Sequence, residues 1–211
     1  MTRDKGLIVV LSGFSGAGKG TIMKHLLATH PDDYNLSISA TTRGIRPGEQ
    51  DGREYFFKTR EEFDKMIANQ ELLEYATFNG NSYGTPRAYV EELVNRGKDV
   101  ILEIEIQGAL QVKEMYPDAL LLFTTPPSAK ELERRLVGRG TEEEEVINQR
   151  LAISAKESLK MPKYDYLIIN DVLENAVEQV HNIIQCEHYR TIRNIANIAD
   201  IQEDLKIFER R

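Results

Sequence analysis

A chain of 211 residues, 41% hydrophobic and 29% charged, has the length and apolar content of one compact α/β unit with small insertions. Its net charge of −7, from 27 Lys and Arg against 34 Asp and Glu, argues against a general nucleic-acid binder, whose surface must be cationic to displace counterions. No apolar run reaches the ~18 residues of a membrane helix, and the single cysteine, Cys186, rules out an internal disulfide and reads as a small buried hydrophobe, so with no leader segment visible a reducing cytoplasm is the expected compartment.

Leu7 to Leu11 is a short apolar run, the pattern of a buried parallel strand. A glycine-rich turn follows, then a helix from about Gly18 to Thr29. Asn35 to Ser39 is a second short strand, and Thr41 to Gly52, charged and rich in Gly and Pro, reads as a loop. Thr59 with Glu62 has the spacing of a capping box and starts a helix through about Asn69. Leu72 to Phe78 is a strand. Thr85-Pro86 then supplies an N-cap and a proline at the first helical position of a helix that ends at Gly97. Val100 to Ile106 and Leu120 to Phe123 are strand-like. Ser128 with Glu131 and Thr141 with Glu144 are further capping boxes. Tyr166 to Ile169 is a last strand before a helix through about Cys186, and the stretch after Glu187 is expected to be helical. Strands alternating with helices predict a parallel sheet covered on both faces.

The strongest local signal is Gly13-Phe14-Ser15-Gly16-Ala17-Gly18-Lys19-Gly20-Thr21, placed between an apolar strand and a helix, the context a phosphate-binding loop requires. Glycines let backbone N–H groups converge on phosphate oxygens, the helix N-terminus adds partial positive charge, and Lys19 reaches the β- and γ-phosphates. Gly20 stands where a strict P-loop carries Ser or Thr as metal ligand. Mg²⁺ is therefore expected to be held mainly through nucleotide and water, with no protein metal ligand assigned. The Asn-Lys-x-Asp guanine motif of GTPases is missing from the sequence, which favours a small-molecule kinase.

The chain resembles guanylate kinase from the P-loop to about Cys186. The resemblance is carried by Ser39-Ala40-Thr41-Thr42-Arg43, Arg46-Pro47-Gly48-Glu49, Asp51-Gly52-Arg53-Glu54-Tyr55-Phe56-Phe57, Glu74-Tyr75-Ala76 and Gly80-Asn81-Ser82-Tyr83-Gly84-Thr85. It continues through Glu103-Ile104-Glu105-Ile106-Gln107-Gly108, Pro126-Pro127-Ser128, Arg139-Gly140-Thr141 and Asn170-Asp171. It implies an α/β P-loop kinase core with a parallel sheet (about 1–37, 89–124 and 159–211), an inserted GMP-binding subdomain (about 38–88) and a lid (about 125–158). It further implies that ATP phosphorylates GMP, and dGMP as well, giving ADP and GDP with Mg²⁺. By the same resemblance, Arg43, Arg46, Tyr55 and Tyr83 hold the GMP phosphate. Ser39, Glu74 and Thr85 meet guanine, with Glu103 or Glu105 nearby. Arg135, Arg139 and Arg150 meet ATP and the moving phosphoryl group.

The residue types agree with that implication. A monophosphate dianion calls for bidentate guanidinium donors and phenolic hydroxyls. Guanine offers N1–H and its 2-amino group to one carboxylate, such as Glu74, and its O6 needs a donor, which Thr85 or Ser39 supplies. Adenine reverses that pattern. Glu103 and Glu105 emerge from a buried strand beside the P-loop, where carboxylates work near metal or phosphate; which faces metal and which faces GMP is open at this level. Arg134 reads as part of a charged helix surface, Glu131 preceding Arg135 by four residues. Asn170-Asp171 either borders the adenine pocket or caps a helix. His25, His30, His181 and His188 read as surface or helix residues. Two other readings stand beside the first: a kinase for another acceptor such as AMP, against which the base-site residues speak, and a non-catalytic guanylate-kinase-like module, against which Lys19 speaks.

Overall fold

The computed structural model describes residues 5–78, 80–138 and 144–209. In chain order these form β1 (Ile8–Gly13), α1 (Lys19–Thr29), β2 (Tyr34–Leu36), β3 (Ala40–Thr41), β4 (Phe56–Phe57), α2 (Arg60–Ala68), β5 (Leu72–Phe78), β6 (Asn81–Pro86) and α3 (Arg87–Asn95). There follow β7 (Asp99–Glu103), α4 (Ile106–Met115), β8 (Leu120–Thr125), α5 (Ala129–Val137), α6 (Glu144–Ser158), β9 (Tyr166–Ile169), α7 (Leu173–Glu187) and α8 (Ile195–Glu209).

The main sheet runs β2-β7-β1-β8-β9, every pairing parallel. Successive side chains of a strand face opposite ways, and the apolar run of β1 serves both faces. Val9 and Leu11 pack with Ile22, Met23 and Leu26 of α1 and Ala176, Val180 and Ile184 of α7. Ile8 and Val10 pack on the other side with Val90 of α3 and Ala109 and Val112 of α4. The chain leaves β1 to one side, for β2, and later crosses from β7 over β1 to β8. The carboxyl ends of β1, β7 and β8 therefore border the point where strand order reverses, the usual ligand crevice of such sheets.

A second, four-stranded sheet has the order β4-β3-β6-β5, with β6 antiparallel to both its neighbours. Its small core holds Ala40, Phe63 and Leu72. α2 begins with the expected capping box: Thr59 Oγ1 accepts from the Glu62 N–H at 3.1 Å, and the Glu62 carboxylate accepts from the Thr59 N–H at 2.7 Å. The sheet leans on the main core through β5 and α4, where Tyr75 N–H donates to Gln111 at 3.3 Å.

Several local expectations change in the folded chain. Thr85 is not an N-cap; it lies in β6, and α3 starts after Pro86. β7 ends at Glu103, and Ile106 opens α4 because Ile106, Ala109 and Val112 bury at helical spacing. Ser128 caps α5, but Glu131 turns its carboxylate to Arg134 and Arg135 rather than back to the cap. Thr141 lies outside the described residues. Cys186 is exposed, because the buried face of α7 passes through Val180, Ile184 and Glu187. His188 is no surface residue: its Nε2 lies 2.8 Å from the wholly buried Asp99.

Candidate active site

The phosphate-loop sequence sits where it was expected, between β1 and α1. Gly13 closes β1, and Phe14 and Ala17 bury against Leu132 and Leu136 of α5. Ser15 and Gly16 cross the tip, and Gly20 and Thr21 open the first turn of α1, exposed toward the cleft. Gly16 and Gly18 both have φ near +90°, in the left-handed region that glycine enters without strain. At Gly18 the space is also closed: a Cβ would strike the amide nitrogen of Asn170. Lys19 donates its ammonium to the carbonyls of Gly13 (2.7 Å) and Phe14 (3.2 Å). That posture folds the cation back along the loop, beside the helix N-terminus whose partial charge attracts anions.

Three groups brace this loop from distant parts of the chain. Asn170 is buried and donates its amide to the Ala17 carbonyl at 2.8 Å. It does not cap α7, whose N-cap is Val172. Arg135 donates to Glu131 at 2.7 Å and to the Asn170 carbonyl at 2.9 Å, which sets α5 beside the loop. The paired arginines hold the Glu131 carboxyl down at about 2. Arg150, on α6, donates to the Ser15 hydroxyl at 2.7 Å. Arg139 lies outside the described residues.

The second sheet and the loop before β4 gather an arginine among aromatic rings. Arg43 lies over the Tyr55 ring at 5.2 Å and the Phe57 ring at 5.7 Å, and the Tyr55 and Tyr83 rings are 6.0 Å apart. Arg46 is exposed on the adjoining loop. Glu49 is the residue here to which sequence reasoning gave no role. Its carboxylate takes the Arg43 guanidinium at 2.7 Å and the Arg46 backbone N–H at 2.9 Å, clamping both arginines into one loop geometry. The signal was available in the Arg-Pro-Gly-Glu sequence, but its meaning needs the Arg43 side chain beside it. We expect Glu49→Gln to raise the KM for an anionic acceptor by about tenfold, with kcat changed less, because the guanidinium loses its fixed orientation. A lowered KM in steady-state assays would instead make Glu49 a competitor for Arg43.

On the neighbouring strands β5 and β6, Glu74 is 7% exposed and Thr85 fully buried, and the Thr85 hydroxyl donates to the Glu74 carboxylate at 2.8 Å. Burial pushes the Glu74 carboxyl above the usual range, with the Thr85 hydrogen bond opposing and the negative charge of Glu105 adding to it. Gly108 makes room for this carboxylate: a Cβ there would lie 2.5 Å from its oxygen. Ser39 is half-buried at the rim.

Glu103 closes β7, and Glu105 stands two residues on, at the start of α4. A Cβ built at Gly20 would lie 3.5 Å from Glu103 Oε1, so Glu103 faces the position a Ser or Thr ligand would take. Solvent reaches Glu103 in the cleft, yet the surrounding protein pushes its carboxyl up, against the attraction of Lys19. The negative charge of Glu105 acts on Glu103, on Glu74 and on Glu157 of α6 alike. Glu157, two helical turns beyond Arg150, is a further carboxylate toward the cleft that sequence reading passed over.

A phosphate-loop sequence between strand and helix, at the point where the order of a parallel sheet reverses, with a smaller sheet carrying arginine and tyrosines beside it, is the arrangement of the P-loop kinases that pass a phosphoryl group between small molecules. The family model described as guanylate kinase matches residues 5–187. This chain belongs to the guanylate kinase family. It is 48% identical over 207 residues to a guanylate kinase of Streptococcus thermophilus, covering 98% of this chain and 99% of that protein. It is 49% identical over 205 residues to one from Lactococcus lactis, covering 97% and 100%. The crystal structure of guanylate kinase from Anaplasma phagocytophilum aligns with a TM-score of 0.71 at 34% identity over 90% of each chain.

Proposed function

We propose that this chain transfers the γ-phosphoryl group of ATP to GMP, and to dGMP, giving ADP and GDP. The observation that carries the acceptor assignment is the buried Glu74–Thr85 pair beside the Arg43–Tyr55–Tyr83 anion pocket. Guanine presents N1–H and the 2-amino group to an ionised Glu74 and O6 to a hydroxyl. The monophosphate lies against Arg43, Arg46 and the two tyrosines. On the donor side, the loop from Gly13 to Thr21 wraps the ATP phosphates, with Arg135 and Asn170 supporting it. Residues about 38–88 act as the acceptor-binding subdomain and about 125–158 as the lid, around a core made of the rest.

The transfer itself is a substitution. A GMP phosphate oxygen forms a bond to the γ-phosphorus as the bond to the bridging oxygen of ADP breaks in line behind it. The nucleophile is already anionic, so no covalent enzyme intermediate and no strong base are required. The work left to the protein is alignment and charge neutralisation. Lys19 moves from its carbonyl partners to the β- and γ-oxygens. Arg43 from one side, Arg150 and Arg139 from the other, neutralise charge on the group in transit. Glu103, opposite Gly20, suits Mg²⁺ held through its waters, with charge neutralisation on the nucleotide phosphates as the chemistry that ion supplies. The lone cysteine and net charge suit a cytoplasmic enzyme without nucleic-acid partners. No helix of the described residues is long and apolar enough to cross a membrane.

A coupled ADP-release assay across the four common nucleoside monophosphates tests the assignment; comparable turnover of GMP and AMP would remove it. The raised carboxyl of Glu74 adds a pH signature. Its folded-state pKa lies above that of the unfolded chain, so between the two the folded protein holds the extra proton. The stability of the ligand-free protein then falls as pH rises through that window. Guanine binding runs the other way, since it needs the ionised form. The ratio of kcat/KM for GMP between the unaltered chain and Glu74→Gln should grow as pH rises through the raised pKa and level off above it. A ratio independent of pH would exclude an ionised Glu74 from base recognition.

A further inference from the structure

At the end of the core remote from the phosphate loop, α1 ends at His30 and the chain turns through Asp33 into β2. His181 of α7 packs on this turn. The His30 and His181 rings stack at 3.8 Å, inclined by only 8°, and His30 Nδ1 lies 3.6 Å from Asp33 Oδ2. One ligand atom from each of His30, Asp33 and His181 falls within 4.8 Å of the others. We propose that these three residues form a binding site for a divalent first-row transition-metal ion, Zn²⁺ foremost, separate from the nucleotide site.

The donor set decides the class of ion. Two imidazoles and one carboxylate suit Zn²⁺, Co²⁺ or Ni²⁺, whereas Mg²⁺ and Ca²⁺ demand oxygen ligands throughout. Three protein ligands leave a fourth position for water, as in open zinc sites. The surroundings supply an orienting shell as well. The Tyr34 hydroxyl, on a 4% exposed residue, lies 2.7 Å from His181 Nδ1, and Gln185 donates to the same hydroxyl at 3.1 Å. Metal-bound histidines are normally fixed through their second nitrogen in this way. In the proposed site His181 Nδ1–H donates to Tyr34, and Nε2 takes the ion. Metal–nitrogen bonds of about 2.0–2.1 Å require the three ligand atoms to draw inward. The side chains of His30 and Asp33, 30% and 45% exposed, have room to rotate for this. The bound ion then ties the end of α1 to α7.

The test uses nucleotide-free full-length protein, stripped with chelator and titrated with Co²⁺ followed optically and with Zn²⁺ followed by calorimetry. The expected result is one Co²⁺ per chain with the intense visible absorption of a four-coordinate ion, displaced by Zn²⁺. His30→Gln and His181→Gln should each weaken binding at least tenfold, and Tyr34→Phe by about 10–100-fold, while GMP phosphorylation by His30→Gln stays unchanged. Should His181→Gln fail to fold, Co²⁺-induced NMR shifts in the unaltered chain decide the matter, and they should centre on the His30 and His181 rings. Absence of binding, binding indifferent to His30→Gln, or shifts centred elsewhere would each overturn the proposal.

Discussion

Lys19→Ala is expected to lower kcat by on the order of 10³-fold or more while leaving the fold intact. The lysine ammonium is the one side-chain cation carried by the phosphate loop itself, and charge spread over the transferred oxygens has no nearer compensation. Its loss costs the fold little. The Lys19 ammonium donates to the Gly13 and Phe14 carbonyls of its own loop. The loop is independently held by the Ala17 N–H to Phe14 hydrogen bond and by Asn170 beneath it. Steady-state assays and thermal melting followed by circular dichroism separate the two effects. Activity near that of the unaltered chain would remove Lys19 from the catalytic machinery.

The second large effect concerns base choice. AMP should be a poorer acceptor than GMP by roughly 10⁴-fold in kcat/KM, because a site built from buried polar groups rejects a base that leaves them unpaired. Adenine sets an acceptor nitrogen against the Glu74 carboxylate, where guanine sets a donor. In a pocket where Glu74 is 7% exposed, water does not relieve that mismatch. Glu74→Ala should therefore cut kcat/KM for GMP by roughly 10²–10³-fold, the loss of two charge-assisted hydrogen bonds, while leaving AMP nearly unaffected. Discrimination that survives the substitution would place base recognition elsewhere.

Much of this site was legible before folding, and the legible parts share a property: their meaning is local. The phosphate loop needs glycines, a lysine and a helix start within nine consecutive residues, so strand, spacing and chemistry are read together. The Thr59–Glu62 capping box and the strand at Leu72–Phe78 likewise depend on neighbours a few positions away, and both formed as read. Thr85 shows where local reading stops. Thr-Pro before an amphipathic run has the form of a helix cap, yet pairing of β6 with β3 and β5 holds the residue in a strand, with its hydroxyl on Glu74.

What the sequence by itself determined is the family and the residue types on offer: a phosphate-loop pattern with its lysine, arginines and tyrosines suited to a phosphate, and a carboxylate and a hydroxyl suited to a guanine edge. Tertiary structure decided which side chains serve which half of the cleft. Glu103 and Glu105 are two residues apart and indistinguishable in the sequence, and only the approach of α1 sets Glu103 opposite Gly20. Asn170 reaches the Ala17 carbonyl across 153 residues and Arg150 reaches Ser15 across 135, because sheet order brings β9 and α6 to the end of β1. His188 on Asp99 and His181 against Tyr34 arise in the same way, across 89 and 147 residues. Periodicity marks a helix face as apolar and a strand as buried. It carries no information on which element will cover them, and that pairing is set by the packing of the whole sheet.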